Sequence, residues 1–241
     1  MLPCLERPRS TIHLRPSAPL AERVLLPGDP QRALAMAQGL LEAPLMFNTR
    51  RGLWGYTGTA PDGRPVTIQA TGMGGPSAAI VAEELIDLGA RVLLRTGTCG
   101  ALRDGYELGE LVAVDRVLAG DGASRALGAG DLLRPDSDLT AALQDAGAAR
   151  TVTAISVDLF YEPRPDAGER LRAAGADVVE MEAAAVLATA ERRRARAGCL
   201  LLVSDLLAGS GRERIAETEL EAAERRLAEV ALRALSASGY Y

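Results

Sequence analysis

The chain has 241 residues, 48% of them apolar and 24% charged, and a net charge of −5. That suits one globular α/β domain with a large core. An acidic chain with only 3% aromatic residues lacks both the basic field and the stacking platforms that hold nucleic acid, so no nucleic-acid partner is expected. All 27 basic residues are arginine, which removes lysine Schiff-base and P-loop lysine chemistry. Cys4, Cys99 and Cys199 form no close pair, and His13 is the single histidine. No metal-ligand spacing results, and no nucleophile motif accompanies His13. The first nineteen residues show no apolar leader, and no apolar run is long enough to span a bilayer, so a cytoplasmic location is expected.

In chain order, Val24, Leu25 and Leu26 form a short apolar strand that stops at Pro27-Gly28-Asp29-Pro30. A helix is expected over residues 31–41, with Asp29 as N-cap and Pro30 at its first position. Residues 64–70 alternate like a half-buried strand, and Gly72-Met73-Gly74-Gly75 breaks it. Pro76 opens a helix through Leu88, which Gly89 ends. Residues 91–95 (RVLLR) read as a buried strand closed by Arg95, with Thr96-Gly97-Thr98-Cys99-Gly100 as the loop behind it.

Residues 110–117 predict another strand, and 119–135, rich in Gly and Asp, a loop. A helix over 137–146, a strand over 151–157 and helices over 166–174 and 183–197 come next. Residues 199–203 (CLLLV) form an apolar strand ending at Ser204-Asp205, and 215–235 a long amphipathic helix. Strands separated by helices imply a single α/β domain over residues 1–241, with a central mixed, largely parallel sheet flanked by helices.

Ligands in such sheets bind beyond the carboxyl ends of the strands, where Gly28, Arg32, Arg95, Thr98 and Asp205 fall. Gly28 lets backbone approach a ligand, and the helix start behind it favours an anion. Arg95 and Thr98 add a guanidinium fork and a hydroxyl, a cradle for phosphate. The bland alternative for each arginine is a solvated surface charge. Gly72-Met-Gly-Gly-Pro-Ser77 has a loose likeness to a dinucleotide-binding loop. It is not the first strand-to-helix turn, however, and Arg95 ends the next strand where an acid belongs. Glu180 and Glu182 flank Met181. In extended backbone both carboxylates point to one side, which suits vicinal sugar hydroxyls; the alternative is a surface pair at a helix start. Asp205 suits a general acid if partly buried, or else a helix N-cap.

Together and in this order, these pieces resemble the nucleoside phosphorylase family that contains the hexameric bacterial purine nucleoside phosphorylases and the uridine phosphorylases. The resemblance rests on LLPGDPQRA (25–33), NTRRGLWGYTG (48–58), GMGGPSAAIVAEEL (72–85), LLRTGTCGAL (93–102), SVDLFY (156–161), VVEMEAAA (178–185) and VSD (203–205). It implies a phosphate site of Gly28, Arg32, Arg95 and Thr98, with Arg51 reaching in from a neighbouring subunit. It implies a ribose site of Glu180, Met181 and Glu182, with a neighbour's His13 on the 5′-hydroxyl. Cys99, Gly100, Phe160 and Val179 would line the base, and Asp205 would face purine N7.

The implied reaction is phosphorolysis without metal or cofactor, with inorganic phosphate as co-substrate. The implied assembly is a homo-oligomer of dimers, usually a hexamer, with sites shared between subunits. The sequence departs from the family in two places. The arginine that supports the acid in the purine enzymes falls on Thr218 in an ungapped match, leaving Arg212 or Arg214 as substitutes. Residues 162–166 (EPRPD) carry Arg164 but lack the glutamine with which uridine enzymes read a pyrimidine edge, which favours purine over uridine. A nucleosidase, which needs no phosphate cradle, and a non-catalytic nucleoside-binding homologue are the competing readings; the arginines speak against the first, Glu182 and Asp205 against the second.

Overall fold

The computed structural model describes residues 11–208 and 211–237. Cys4 lies outside them. Strand β1 (Arg23–Pro27) leads into helix α1 (Pro30–Leu40), whose N-cap Asp29 accepts from the Gln31 N–H with proline at the first helical position. β2 (Glu42–Asn48), β3 (Gly55–Thr59) and β4 (Pro65–Gln69) form an antiparallel meander. Helix α2 (Gly75–Leu88) ends at Gly89, whose φ of 117° is the left-handed cap that glycine allows. Then come β5 (Val92–Ala101), β6 (Leu111–Ala119), α3 (Gly122–Ala126), β7 (Leu132–Leu133), α4 (Ser137–Ala146) and β8 (Arg150–Ser156). α5 (Ala167–Ala173), β9 (Val178–Glu180), α6 (Ala183–Arg193), β10 (Arg196–Leu206), β11 (Glu213–Arg214) and α7 (Glu217–Ala237) complete the order.

The sheet is mixed, in the order β11-β10-β6-β8-β9-β5-β1-β4-β3-β2, with β7 beside β6. β1 runs parallel to β4 and β5, and β5 parallel to β10. Because β10 pairs with both β5 and β6, the strands β5, β10, β6, β8 and β9 close into a ring. Alternate side chains serve two cores. Val24, Leu93, Cys99, Leu201 and Val203 pack with α2 and α6 on one face. Leu25, Leu94, Leu200 and Leu202 pack with α1, α4 and α7 on the other. Strands buried on both faces explain the unbroken apolar runs in the sequence. No helix among the described residues is long and apolar enough to cross a membrane.

Four expectations need correction. Residues 96–100 are strand, not loop: β5 stays paired with β10 as far as Ala101, so Arg95 lies in mid-strand. Glycines 97 and 100 suggest a break, but Gly97 is there for space. A Cβ on it would lie 2.5 Å from the Arg95 guanidinium, which folds back over it. The helix at 183–197 stops at Arg193, where Arg194 takes a left-handed cap and β10 begins two residues later. The loop at 119–135 contains α3, capped by Asp121, and the short strand β7. The long C-terminal helix starts at Glu217, not at 215.

Candidate active site

A cavity of about 1000 Å³ opens at the carboxyl ends of β1, β5 and β10. Gly28, Arg32, Arg95, Thr98, Cys99, Gly100, Phe160, Val179, Glu180, Met181, Glu182 and Asp205 all line it. Of the binding residues that the resemblance implies, His13 and Arg51 stand elsewhere.

Two glycine loops form one wall. The Gly72 N–H donates to the Gly28 carbonyl at 3.0 Å, and the Thr71 N–H to Pro27 at 2.9 Å. Gly72 and Gly74 have φ of 73° and 89°, a region costly for any residue with a Cβ. That backbone turns the Gly74 N–H onto Glu182 Oε1 at 2.5 Å. The loop that looked loosely dinucleotide-like therefore holds a carboxylate.

Arg95 is the centre of the polar network. Its Nε donates to Glu180 Oε2 at 2.8 Å, and its Nη2 meets Glu182 Oε2 at 2.6 Å. The three side chains are 4%, 0% and 8% exposed, which rules out a surface glutamate pair. Burial alone would weaken the arginine charge, but Glu182 and Glu180 outweigh it and hold its pKa above the ordinary value. Burial, and then Glu180, push Glu182 above its ordinary value, although Arg95 opposes them. Arg95 Nη1 has no hydrogen-bond partner among the described residues and is itself buried.

The two glutamates differ. Glu180 accepts from Arg95, from Ser156 Oγ and from the Glu182 and Ala183 N–H groups at the start of α6. Its lone pairs are used inside the protein, so it orders Arg95 and the helix start. Glu182 keeps capacity to accept from a ligand. Arg32, on the first turn of α1, is paired with Glu224 of α7 at 2.6 Å. No sequence motif marks that partner.

Asp205 is aimed by a bulge. Val203 pairs with Cys99 and Asp205 with Gly100, so Ser204 is the extra residue. A bulge changes the phase of the pleat and re-aims the side chain beyond it. Ser204 Oγ donates to Asp205 Oδ2 at 2.8 Å and Arg212 Nε to Oδ1 at 2.7 Å. The choice left open between Arg212 and Arg214 thus falls to Arg212; Arg214 lies in β11, its backbone in register with Asp205. The Arg212 guanidinium also stacks 4.6 Å over the Phe160 ring, which meets Tyr161 edge to face. Cys99 and Cys199 are fully buried, and burial raises both thiols well above their ordinary range, so neither offers a thiolate nucleophile.

His13 and Arg51 lie together in a second, separate pocket of about 370 Å³, with Ile12, Thr49 and Arg50. Arg51 has φ of 59°, in the left-handed region.

A parallel-centred sheet thus bears a cavity that holds both a buried arginine–carboxylate network and a bulge-mounted acid, an arrangement suited to group transfer. The family comparison agrees: residues 22–238 match the family described as the Phosphorylase superfamily, and the chain belongs to it. It is 40% identical over 212 residues to a protein of Jannaschia sp. (strain CCS1) named purine nucleoside phosphorylase DeoD-type, covering 82% of this chain and 88% of that one. A protein of the same name from Geobacillus kaustophilus (strain HTA426) is 34% identical, covering 91% and 95%. The crystal structure of uridine phosphorylase from Vibrio fischeri ES114 shares the fold, with a TM-score of 0.80 at 23% identity over 90% of this chain and 92% of that one.

Proposed function

We propose that this protein is a nucleoside phosphorylase acting on purine nucleosides. It transfers the sugar to inorganic phosphate and releases the free base. One observation carries the reading: the buried Arg95–Glu180–Glu182 network and the bulge-mounted Asp205 share one cavity. Gly28, Arg32, Arg95 and Thr98, which all line the cavity, hold phosphate. Glu182 accepts from the sugar hydroxyls beside Met181. Cys99, Gly100, Phe160 and Val179 surround the base, with Asp205 toward purine N7.

Phosphate oxygen attacks the anomeric carbon as the glycosidic C–N bond breaks. The bonding pair leaves with the base, and Asp205 supplies the proton that neutralises it. The phosphate anion stabilises the positive charge on the sugar during the step. Products are the base and the sugar 1-phosphate. No cofactor enters; phosphate is the second substrate.

His13 and Arg51 complete a neighbouring subunit's site, which makes the working unit at least a dimer, with a hexamer of three dimers as the expected assembly. Their placement together, apart from the main cavity, supports this. Uridine phosphorylase activity is the second reading, favoured by the likeness to the Vibrio structure. The test is base release from adenosine, inosine, guanosine and uridine, with phosphate and in an inert buffer. Release is expected with purines and only with phosphate. Undiminished turnover without phosphate would make the protein a nucleosidase, and preference for uridine would favour the second reading.

A further inference from the structure

Glu84 is a carboxylate that the proposed reaction does not use. It sits inside α2 among Val81, Ala82 and Leu85, with its side chain only 11% exposed. A charge there needs compensation, and it comes from one short segment. The N–H groups of Ile12, His13 and Leu14 donate to it at 3.0, 2.9 and 2.6 Å. His13 Nδ1 meets its Oε1 at 2.8 Å. Three successive N–H groups around one anion form a backbone nest. Burial alone would raise the Glu84 pKa, but the bonds from Leu14, His13 and Ile12 hold it below its ordinary value.

An ionised carboxylate only accepts, so the proton in the His13–Glu84 contact belongs to Nδ1. In a neutral ring that leaves Nε2 as an acceptor. Buried Asn48 then ties this segment to the Arg51 loop: its Oδ1 accepts from the Arg15 N–H at 3.0 Å and its Nδ2 donates to the Leu53 carbonyl at 2.6 Å. His13 and Arg51 thus share one pocket on a fixed frame.

We infer that Glu84 is the positioning residue for His13. It locks the segment and the Nδ1–H tautomer, so that Nε2 accepts the 5′-hydroxyl proton of a nucleoside bound by the neighbouring subunit. This rests on the reading that His13 serves the neighbour's sugar. Glu84 itself touches no substrate.

Because His13 is the only histidine, the imidazole ¹⁵N spectrum of the assembled protein reports this ring alone. In the neutral ring, Nδ1 is expected to carry the proton and Nε2 to be bare. A proton on Nε2 instead would overturn the inference without any variant. The kinetic arm compares a purine ribonucleoside with its 5′-deoxy analogue. Glu84→Gln should raise KM for the 5′-hydroxyl substrate by roughly three- to tenfold, the scale of one hydrogen bond. It should leave kcat and the 5′-deoxy substrate nearly unchanged. His13→Ala should give the same split, and the double variant no more. A split that appears in His13→Ala but is absent from Glu84→Gln would overturn the role of Glu84 and spare that of His13. No effect in His13→Ala would remove the sugar reading and the inference with it.

Discussion

Arg212 reaches back seven residues to donate its Nε to Asp205 Oδ1 at 2.7 Å while its guanidinium lies over Phe160. One side chain thus touches the proposed acid and an aromatic wall of the base site. A positive donor stabilises the carboxylate left behind once the acid has given up its proton, so Arg212 favours transfer. Arg212→Ala should lower kcat on natural purine nucleosides by roughly 10- to 100-fold, within the range a positioned proton-transfer partner contributes. Steady-state kinetics on inosine and adenosine check this; an unchanged kcat would leave Arg212 a surface ion pair.

Asp205→Asn should cost more, roughly 10²-fold or beyond on the same substrates. An amide donates a hydrogen bond but delivers no proton. N7-methylated nucleosides carry the leaving-group charge already and should be nearly unaffected. Equal losses on both substrate types would remove the acid role.

Arg95 is a poor target for an alanine probe of phosphate binding. Its removal strands Glu180 and Glu182, both buried, without a countercharge. Breaking a buried ion pair from one side costs about 3–5 kcal/mol. Arg95→Ala should therefore lower the thermal midpoint markedly as well as raise the phosphate KM. Arg32→Ala should raise the phosphate KM with a much smaller stability loss, because its partner Glu224 is 20% exposed and can be hydrated. Melting curves beside phosphate titrations separate the two; equal destabilisation would contradict the assigned burial.

The pH dependence of the His13 anchor is set by Glu84. Its folded pKa lies below the ordinary 4.5. A depressed carboxylate contributes stability that is complete above its unfolded pKa and is lost as pH falls through the folded value. The difference in thermal midpoint between the native chain and Glu84→Gln should be full at neutral pH and shrink below about pH 4.5. A gap that widens in acid would give the shift the opposite sign.

Much of this site was legible because motif residues face one another across adjacent strands. Arg95, Thr98, Cys99 and Gly100 share β5, Asp205 ends the neighbouring β10, and the Glu180–Glu182 pair closes β9. Partners distant in sequence were not legible. Glu84 lies 71 residues from His13, and Glu224 lies 192 from Arg32; a glutamate on a helix looks like a solvated charge until the packing is known. The strand from Thr96 to Gly100 was hidden by its glycines, which mark turns in general but here make room for Arg95 and Leu207. The bulge at Ser204 left no local signal either, because it depends on register with β5.

The proposed sharing of sites turns on His13 and Arg51. Asn48 and Glu84 hold them on one frame, in a pocket separate from the cavity with the phosphate and sugar residues. If each subunit lends this pair to its neighbour, a monomer lacks one phosphate ligand and the 5′-hydroxyl acceptor. Two inactive variants make the test. Arg51→Ala spoils what a subunit lends, and Asp205→Ala spoils the site it keeps. Each alone should have little activity. Co-expressed with different affinity tags and purified through both, they should form mixed dimers. One site then pairs the alanine at 205 with the alanine at 51, and the other carries neither lesion. Activity should return to roughly half of the native value per mixed dimer, since one site in two is intact. Mixed oligomers as inactive as either parent would mean that Arg51 serves its own subunit's site or none.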